Sequence, residues 1–471
     1  MFIGREDELA ALERMYASDR FEMMVLYGRR RVGKTALVDE FVKDKRTLYF
    51  TALQQSAAAN LRDFSAEVYR FFDMPGVEAP FADWKSAFTF ICAQAAERNL
   101  GRYVIVFDEF PYAALSDPSL PSVLQICIDH GFKDTRAMII VSGSNEGFME
   151  SQVLGYKSPL YGRRTGQLHL RPFDYYDAAR FVPDVSAEEA IQYYAVFGGT
   201  PYYLAQIHAG ESFENNVARL LFDNSGLLFE EPMMLLRQEL REPALYSSIL
   251  QEIAYGANAL NTIADRVRVD VRTVSKYLKT LEGLGLIART VPVGVNAAKS
   301  RKGQYVINDP FFAYWYRFVS RHIGRIESGL GRAVAATHAF GDAFATYVGQ
   351  QFETICRQWV TRRARFGELP MLVGEVGRWW GTDPRKREQT DIDVVATDDD
   401  SGMVLLGECK WRNSFNETEA IELLRQRTGL VQGYSRTVYA LFSKYPVHQA
   451  TRDSNDDVMF VAAADMLPAH S

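Results

Sequence analysis

The chain has 471 residues, enough for about three domains that each bury their own core. Apolar residues make up 47% and charged residues 24%, the balance of an ordinary globular protein, which excludes a disordered or collagen-like chain. A net charge of -6 argues against wholesale coating of nucleic acid and leaves room for local basic patches. No apolar run reaches the length of a membrane span, and the first residues carry no apolar signal core, so the expected compartment is the cytoplasm, with no membrane partner. Cys92, Cys127, Cys356 and Cys409 lack paired metal spacing and read as reduced, mostly buried thiols.

The run Met23-Met24-Val25-Leu26-Tyr27 predicts a strand that delivers Gly28-Arg29-Arg30-Arg31-Val32-Gly33-Lys34-Thr35, with Ala36 following in a helix. Glycines at both ends of this loop let backbone N–H groups turn inward, and the helix beginning near Lys34 adds its positive dipole end. Such a loop binds ATP: Lys34 reaches the outer phosphates and the Thr35 hydroxyl holds Mg2+. Tyr103-Val104-Ile105-Val106-Phe107 predicts a second strand ending in Asp108-Glu109. There Asp108 holds Mg2+ through water and Glu109 polarises the attacking water. A third strand, Ala137-Met138-Ile139-Ile140-Val141, runs into Ser142-Gly143-Ser144-Asn145, where Ser144 can sense the outer phosphate. Arg163 and Arg164, in Ser158-Pro159-Leu160-Tyr161-Gly162-Arg163-Arg164-Thr165, are either candidates for an arginine finger or solvated loop charges.

Strands alternating with helices to about residue 170 predict a three-layer α/β domain with a mainly parallel sheet, and residues 174–235 read almost wholly helical, as a lid. Glu242-Pro243 and Asn308-Asp309-Pro310 mark chain breaks. Between them the pattern is winged-helix: one helix over 245–255, a second beginning with a capping signal at Thr262, a third capped by Asp270, then a hairpin. Val274, Tyr277, Leu278, Leu281 and Leu284 form the buried stripe of the third helix. Arg272, Lys276 and Lys279 are left outside to enter a major groove, and Lys299, Arg301 and Lys302 in the wing meet phosphates. Docking of that face on a protein partner is the competing expectation. The aromatic segment Phe311-Phe312-Ala313-Tyr314-Trp315-Tyr316 reads as core or interdomain packing.

In the last third, Asp391-Ile392-Asp393-Val394-Val395-Ala396 and Met403-Val404-Leu405-Leu406-Gly407-Glu408-Cys409-Lys410-Trp411 predict two strands. Side chains alternate, so Glu408 and Lys410 share a face on which Val404 and Leu406 lead into the core. An Asp beside Glu-x-Lys is how nucleases hold a hard cation, here Mg2+ or Mn2+, and set a lysine beside the attacking water. Retained strand-end charges on a scaffold without cleavage activity are the competing reading. Arg362, Arg363, Arg365, Arg385, Lys386 and Arg387 could line a phosphate track.

Together Phe2-Ile3-Gly4-Arg5-Glu6, the two nucleotide motifs, the Ser-Gly-Ser strand end, Ser-Pro-Leu-Tyr-Gly-Arg-Arg and Gly198-Gly199-Thr200-Pro201 resemble the archaeal-type P-loop ATPases related to AAA+ and STAND switch proteins. The resemblance implies that Arg5 lies near the adenine and that Pro201 belongs to a lid closing on nucleotide. Residues 341–460 resemble the restriction-endonuclease-like domain that follows the ATPase and winged helix in many members. By that resemblance Asp393, Glu408 and Lys410 match the nuclease motif, and Glu353 matches an added acid from the first helix. The expected domains are an ATPase core (1–173), helical lid (174–240), winged helix (241–310), linker helix (311–340) and nuclease-like domain (341–471). The expected function is ATP hydrolysis coupled to DNA binding and metal-dependent DNA cleavage. A regulatory switch that binds DNA or protein, through its winged helix or lid, and cuts nothing is the alternative.

Overall fold

The computed structural model describes residues 2–74, 79–298, 300 and 302–468, and its contacts divide the chain into two units, Met1–Pro172 and Phe173–Ser471. The expected α/β class holds in both. Among the described residues no helix is long and apolar enough to cross a membrane.

The first unit is built on five parallel strands, β1 (Glu22–Tyr27), β2 (Thr47–Thr51), β3 (Tyr103–Asp108), β4 (Ala137–Gly143) and β5 (Gly166–His169), in the order β2-β3-β4-β1-β5. The three inner strands are buried along their whole length, so they stand out in the sequence as continuous apolar runs. The two edge strands carry no such run: β2 alternates half-exposed and buried residues, and β5 alternates half-exposed and exposed ones. Met23, Val25, Ile105, Phe107, Ile139 and Val141 face one helical layer, and Met24, Leu26, Val104, Val106, Met138 and Ile140 face the other. Burying each such side chain stabilises the layer by about 1.5–3 kcal/mol. All three inner strands therefore end at one edge, where the loops that follow them converge.

The second unit opens with helices Tyr175–Ala179, Ala187–Phe197, Pro201–Leu204, Phe213–Leu221 and Glu231–Glu239. Helices Pro243–Ala254, Leu260–Val267 and Val271–Gly283 follow, then an antiparallel hairpin of β6 (Ile287–Thr290) and β7 (Gln304–Ile307). The middle helix begins at Leu260 rather than Thr262, after Ala259, which offers no side-chain cap. Asp270 caps the third helix as expected, accepting from the N–H groups of Arg272 and Thr273. Phe311, Phe312, Tyr314, Trp315 and Tyr316 are buried, with Trp315 Nε1 donating to the Phe229 carbonyl at 2.7 Å.

A second sheet closes the chain: β8 (Glu375–Asp383), β9 (Glu388–Asp398), β10 (Met403–Lys410), β11 (Arg436–Ser443) and β12 (Val458–Ala462), in the order β12-β11-β10-β9-β8. The three strands β8, β9 and β10 pair antiparallel, whereas β11 joins β10 and β12 in parallel. Helix Asp342–Arg365 packs on this sheet through Phe352, Ile355, Cys356 and Trp359. The loop after β6 is seated on the sheet's edge: the Val293 N–H donates to the Arg378 carbonyl on β8, and the Val293 side chain is buried with Ile392, Val404 and Leu406. An apolar valine thus anchors to the sheet the stretch of loop that precedes Lys299, Arg301 and Lys302. Lys299 and Arg301 lie outside the described residues, and Lys302 is exposed.

Candidate functional site

In the first unit the site grows from the end of β1. Gly28 adopts φ +153°, and a Cβ placed there would lie 2.2 Å from the Leu170 carbonyl oxygen, so only glycine passes under β5. Gly33, at φ +91°, turns the chain into helix Lys34–Val42. No side chain caps that helix, which leaves its first amides for an anion. Lys34 is buried at 7% exposure and donates to the carbonyls of Gly28 and Arg29 at 2.8 and 3.1 Å. Burial pushes the Lys34 ammonium below its ordinary value, and the carboxylates of Glu109, Asp108 and Glu146 oppose that push. Arg29 is buried beside it, Arg31 takes a left-handed turn at φ +70°, and Arg30 donates to the Tyr112 hydroxyl.

Thr35 and Ala36 face solvent at the mouth of the loop. Thr35 Oγ1 donates to Asp108 Oδ2 at 3.2 Å, and Asp108 Oδ1 accepts from the Glu109 N–H at 3.0 Å. A hydroxyl and a carboxylate at this separation form the hard-oxygen pair that Mg2+ takes. The loop, its free helix end and this pair thus fit ATP with Mg2+: Gly28 to Thr35 for the phosphates, Thr35 and Asp108 for the ion. Glu109 sits at φ +49°, a left-handed conformation that costs a non-glycine residue about 1–3 kcal/mol. Its Oε2 accepts from Ser144 Oγ at 2.9 Å and from the Ser144 N–H at 3.3 Å, which aims the carboxylate along the strand ends.

Arg5 is 8% exposed and donates to the carbonyls of Val32 and Arg171 at 3.1 and 2.6 Å, tying the opening motif to the phosphate loop. Arg163 is held by Asp129 at 2.8 Å, and Arg164 donates to the Leu154 carbonyl at 3.2 Å over the Tyr161 ring. Pro201 opens a short helix of the second unit. Sequence reasoning missed Glu146 and His169, which pair at 3.0 Å with the His169 ring stacked on Tyr27. Neither belongs to a motif, and only the sheet order brings β5 beside β1.

In the second unit Arg272, Lys276 and Lys279 are exposed on one helix, while Val274, Leu278 and Leu281 are buried. The C-terminal residues come together less simply. A bulge sets Asp393 and Val394 of β9 opposite Arg378 alone, since Val395 pairs with Gly377 and Ile392 with Trp379. Asp393 Oδ2 accepts from the Cys409 N–H at 2.9 Å. Burial, with the Glu408 and Glu353 carboxylates near, pushes the Asp393 carboxyl up to about 7. Burial also raises Glu353, against the pull of Arg357 and Arg378.

Glu408 Oε1 is paired with Lys410 at 2.6 Å and Oε2 with Arg427, a residue the sequence reading did not single out. Among the described residues no group of three or more His, Cys, Asp or Glu side chains is arranged to hold a metal ion. The expected Mg2+ or Mn2+ site at Glu353, Asp393 and Glu408 does not fit this arrangement, because both oxygens of Glu408 already face cations. Lys410, expected beside an attacking water, is spent on the same carboxylate. In the expected basic track, Arg362 pairs with Asp174, Arg363 with Glu368 and Arg385 with Asp383, and Lys386 Nζ donates to Gln426 Oε1 at 2.7 Å.

The first unit is thus a P-loop nucleotide-binding fold with a second acidic motif at the neighbouring strand end. Residues 2–207 match an ATPase domain found predominantly in Archaea, and residues 315–421 match a domain of archaeal and bacterial proteins of unknown function. An uncharacterized protein of Methanocaldococcus jannaschii is 30% identical over 415 residues, 88% of either chain. An uncharacterized ATP-binding protein of the same organism is 46% identical over 46 residues, 10% of this chain and 78% of that one. The Walker-type ATPase of Pyrococcus abyssi shares the fold, with a TM-score of 0.52 at 21% identity over 67% of this chain and 96% of that one. The chain belongs to this predominantly archaeal family of P-loop ATPases.

Proposed function

We propose that this protein is an ATP-hydrolysing switch whose nucleotide state governs DNA binding through the helix Val271–Gly283. The placement of Glu109 carries the hydrolytic half of the reading: a carboxylate fixed by Ser144 next to the Thr35–Asp108 pair is the group that separates turnover from mere binding. Lys34 holds the outer phosphates, Thr35 and Asp108 hold Mg2+, and Glu109 orients water and draws on its proton. Bound ATP supplies the phosphoryl group that this water attacks. Arg5, through Val32, positions the phosphate loop, and Arg163 is the weaker of the two finger candidates because Asp129 holds it.

The DNA half rests on the three exposed cations of a helix capped by Asp270, followed by a hairpin, which is the element order of a winged helix. The paired state of Glu408 favours the non-cleaving form of the switch over the nuclease reading, in which Asp393 and Glu408 hold Mg2+ and Lys410 serves the water. Duplex DNA titrated at several salt concentrations, with ATP and with ADP, tests the proposal. Lys276→Glu with Lys279→Glu should weaken binding and lower the salt slope by about 0.9 for each phosphate that is no longer neutralised. An unchanged slope and affinity, with a native circular dichroism spectrum, would assign that helix to a protein partner.

A further inference from the structure

The carboxylate centre of the second sheet comes with its own positive charges, and their origin is traceable. Helix Glu417–Gln426 packs Leu424, with Leu430 and Val431 beyond its end, against Val404 and Leu406 of β10. Alternation along β10 puts Glu408 next on that same face. The helix ends at Arg427, whose N–H bonds to the Leu424 carbonyl and whose own carbonyl accepts from Leu430, so the turn directs the guanidinium toward Glu408. Arg427 is only 9% exposed, and its Nε is buried without a hydrogen-bond partner. A buried donor left unmade is tolerated here because the charge-assisted pair with Glu408, itself 5% exposed, offsets it. Lys410 takes the other oxygen, and Arg357 donates to the Asp393 carbonyl at 2.7 Å while standing 3.8 Å from Glu353. Glu408 thus faces two cations supplied by the chain and Glu353 a third, and a divalent ion entering between Asp393 and Glu408 would meet positive charge on two sides of Glu408.

We propose that Arg427, with Lys410, is the resident cation of this centre: the native protein holds no divalent ion at Asp393 and Glu408, and removing the Arg427 charge creates such a site. This deepens the non-cleaving form of the switch and is independent of whether the basic helix binds DNA. The structure therefore assigns Arg427 as a positioning residue that closes the centre, a role unconnected with turnover in the first unit.

The test is a Mn2+ titration of the nucleotide-free full chain, with free ion read by its paramagnetic resonance signal. Wild type and Asp393→Asn should give superimposable curves. Arg427→Met should gain one Mn2+ per chain, and the double variant Arg427→Met with Asp393→Asn should lose it again. Mn2+ bound by wild type and released by Asp393→Asn would overturn the proposal, as would a folded Arg427→Met protein that gains nothing. Should Arg427→Met fail to fold, Arg427→Gln keeps a donor for Glu408, removes the charge and carries the same expectation. The comparison of wild type with Asp393→Asn needs no Arg427 variant at all. Absence of DNA binding or ATP turnover would sink the functional reading above and leave this outcome standing.

Discussion

Replacing Glu109 by Gln keeps the shape of the side chain and removes its charge, so its effects can be apportioned. The Gln carbonyl oxygen can still accept from Ser144 Oγ and N–H, now as neutral rather than charge-assisted bonds. A charged hydrogen bond contributes about 1.5–3 kcal/mol against about 1 for a neutral one, so the loss in stability should be about 1 kcal/mol, which lowers the melting temperature by about 2–4 °C in a unit of this size. The backbone strain at φ +49° is unchanged by the substitution. Chemistry should suffer far more. Loss of a positioned base costs about 10²–10⁴ in rate, or about 3–5 kcal/mol of activation free energy. Nucleotide affinity should hold or rise, because a carboxylate near the triphosphate has gone and Lys34, whose charge Glu109 helps to maintain, still gains phosphate as its partner. Single-turnover hydrolysis of labelled ATP, beside equilibrium binding of a fluorescent analogue, measures both terms. Hydrolysis within about threefold of wild type, far short of the loss expected for a catalytic base, would refute the assignment of Glu109. Binding lost together with turnover would refute the separation of roles.

Gly28→Ala drives a Cβ into the Leu170 carbonyl and threatens the 2.7 Å bond from the Leu170 N–H to the Tyr27 carbonyl; overpacking of about 1–3 kcal/mol plus about 1 for the bond should lower the melting temperature by about 4–15 °C. A calorimetric scan unchanged by the substitution would remove the close approach as the reason for glycine. The hydrogen bond from Arg163, then that from Lys133, holds the Asp129 carboxyl down to about 2. Because the folded value is depressed, the stability it contributes is fully present above the unfolded value near 3.9 and is lost as pH falls through about 2. Arg163→Ala should move the Asp129 titration, followed by carbon-detected magnetic resonance, up toward that unfolded value; an unmoved titration would show that the pair does not persist in solution.

The nucleotide site was readable from sequence because its parts are contiguous and its strands are buried throughout. Gly28 to Thr35 and Asp108-Glu109 each hang on an inner strand with an unbroken apolar run, and the structure joins them through the Thr35–Asp108 bond. The bond between Ser144 and Glu109 is less legible, since the pattern points Ser144 to the outer phosphate and not to the neighbouring carboxylate. The edge strands β2 and β5 were not located, because half-exposed strands dilute the apolar signal. With β5 unseen, the pair Glu146 and His169 could not be assembled. In the C-terminal sheet the sequence pattern placed Glu408 and Lys410 on one face correctly. It could not show that Arg427, the residue just after helix Glu417–Gln426, would return a guanidinium to Glu408. Nor could strict alternation foresee the bulge at Asp393, which depends on the register with β8.

The seat of Val293 on β8 has a consequence for handling the chain in pieces. An outermost strand shows a row of unsatisfied amides and carbonyls to any strand that passes, and here the loop after β6 masks part of that row through the Arg378 carbonyl. Severing the chain within 311–340 would take Val293 away and bare Ile392, Val404 and Leu406 beside an open sheet margin. The liberated C-terminal fragment should then stick to itself, so self-association of such a fragment would reflect a lost cover rather than a native assembly.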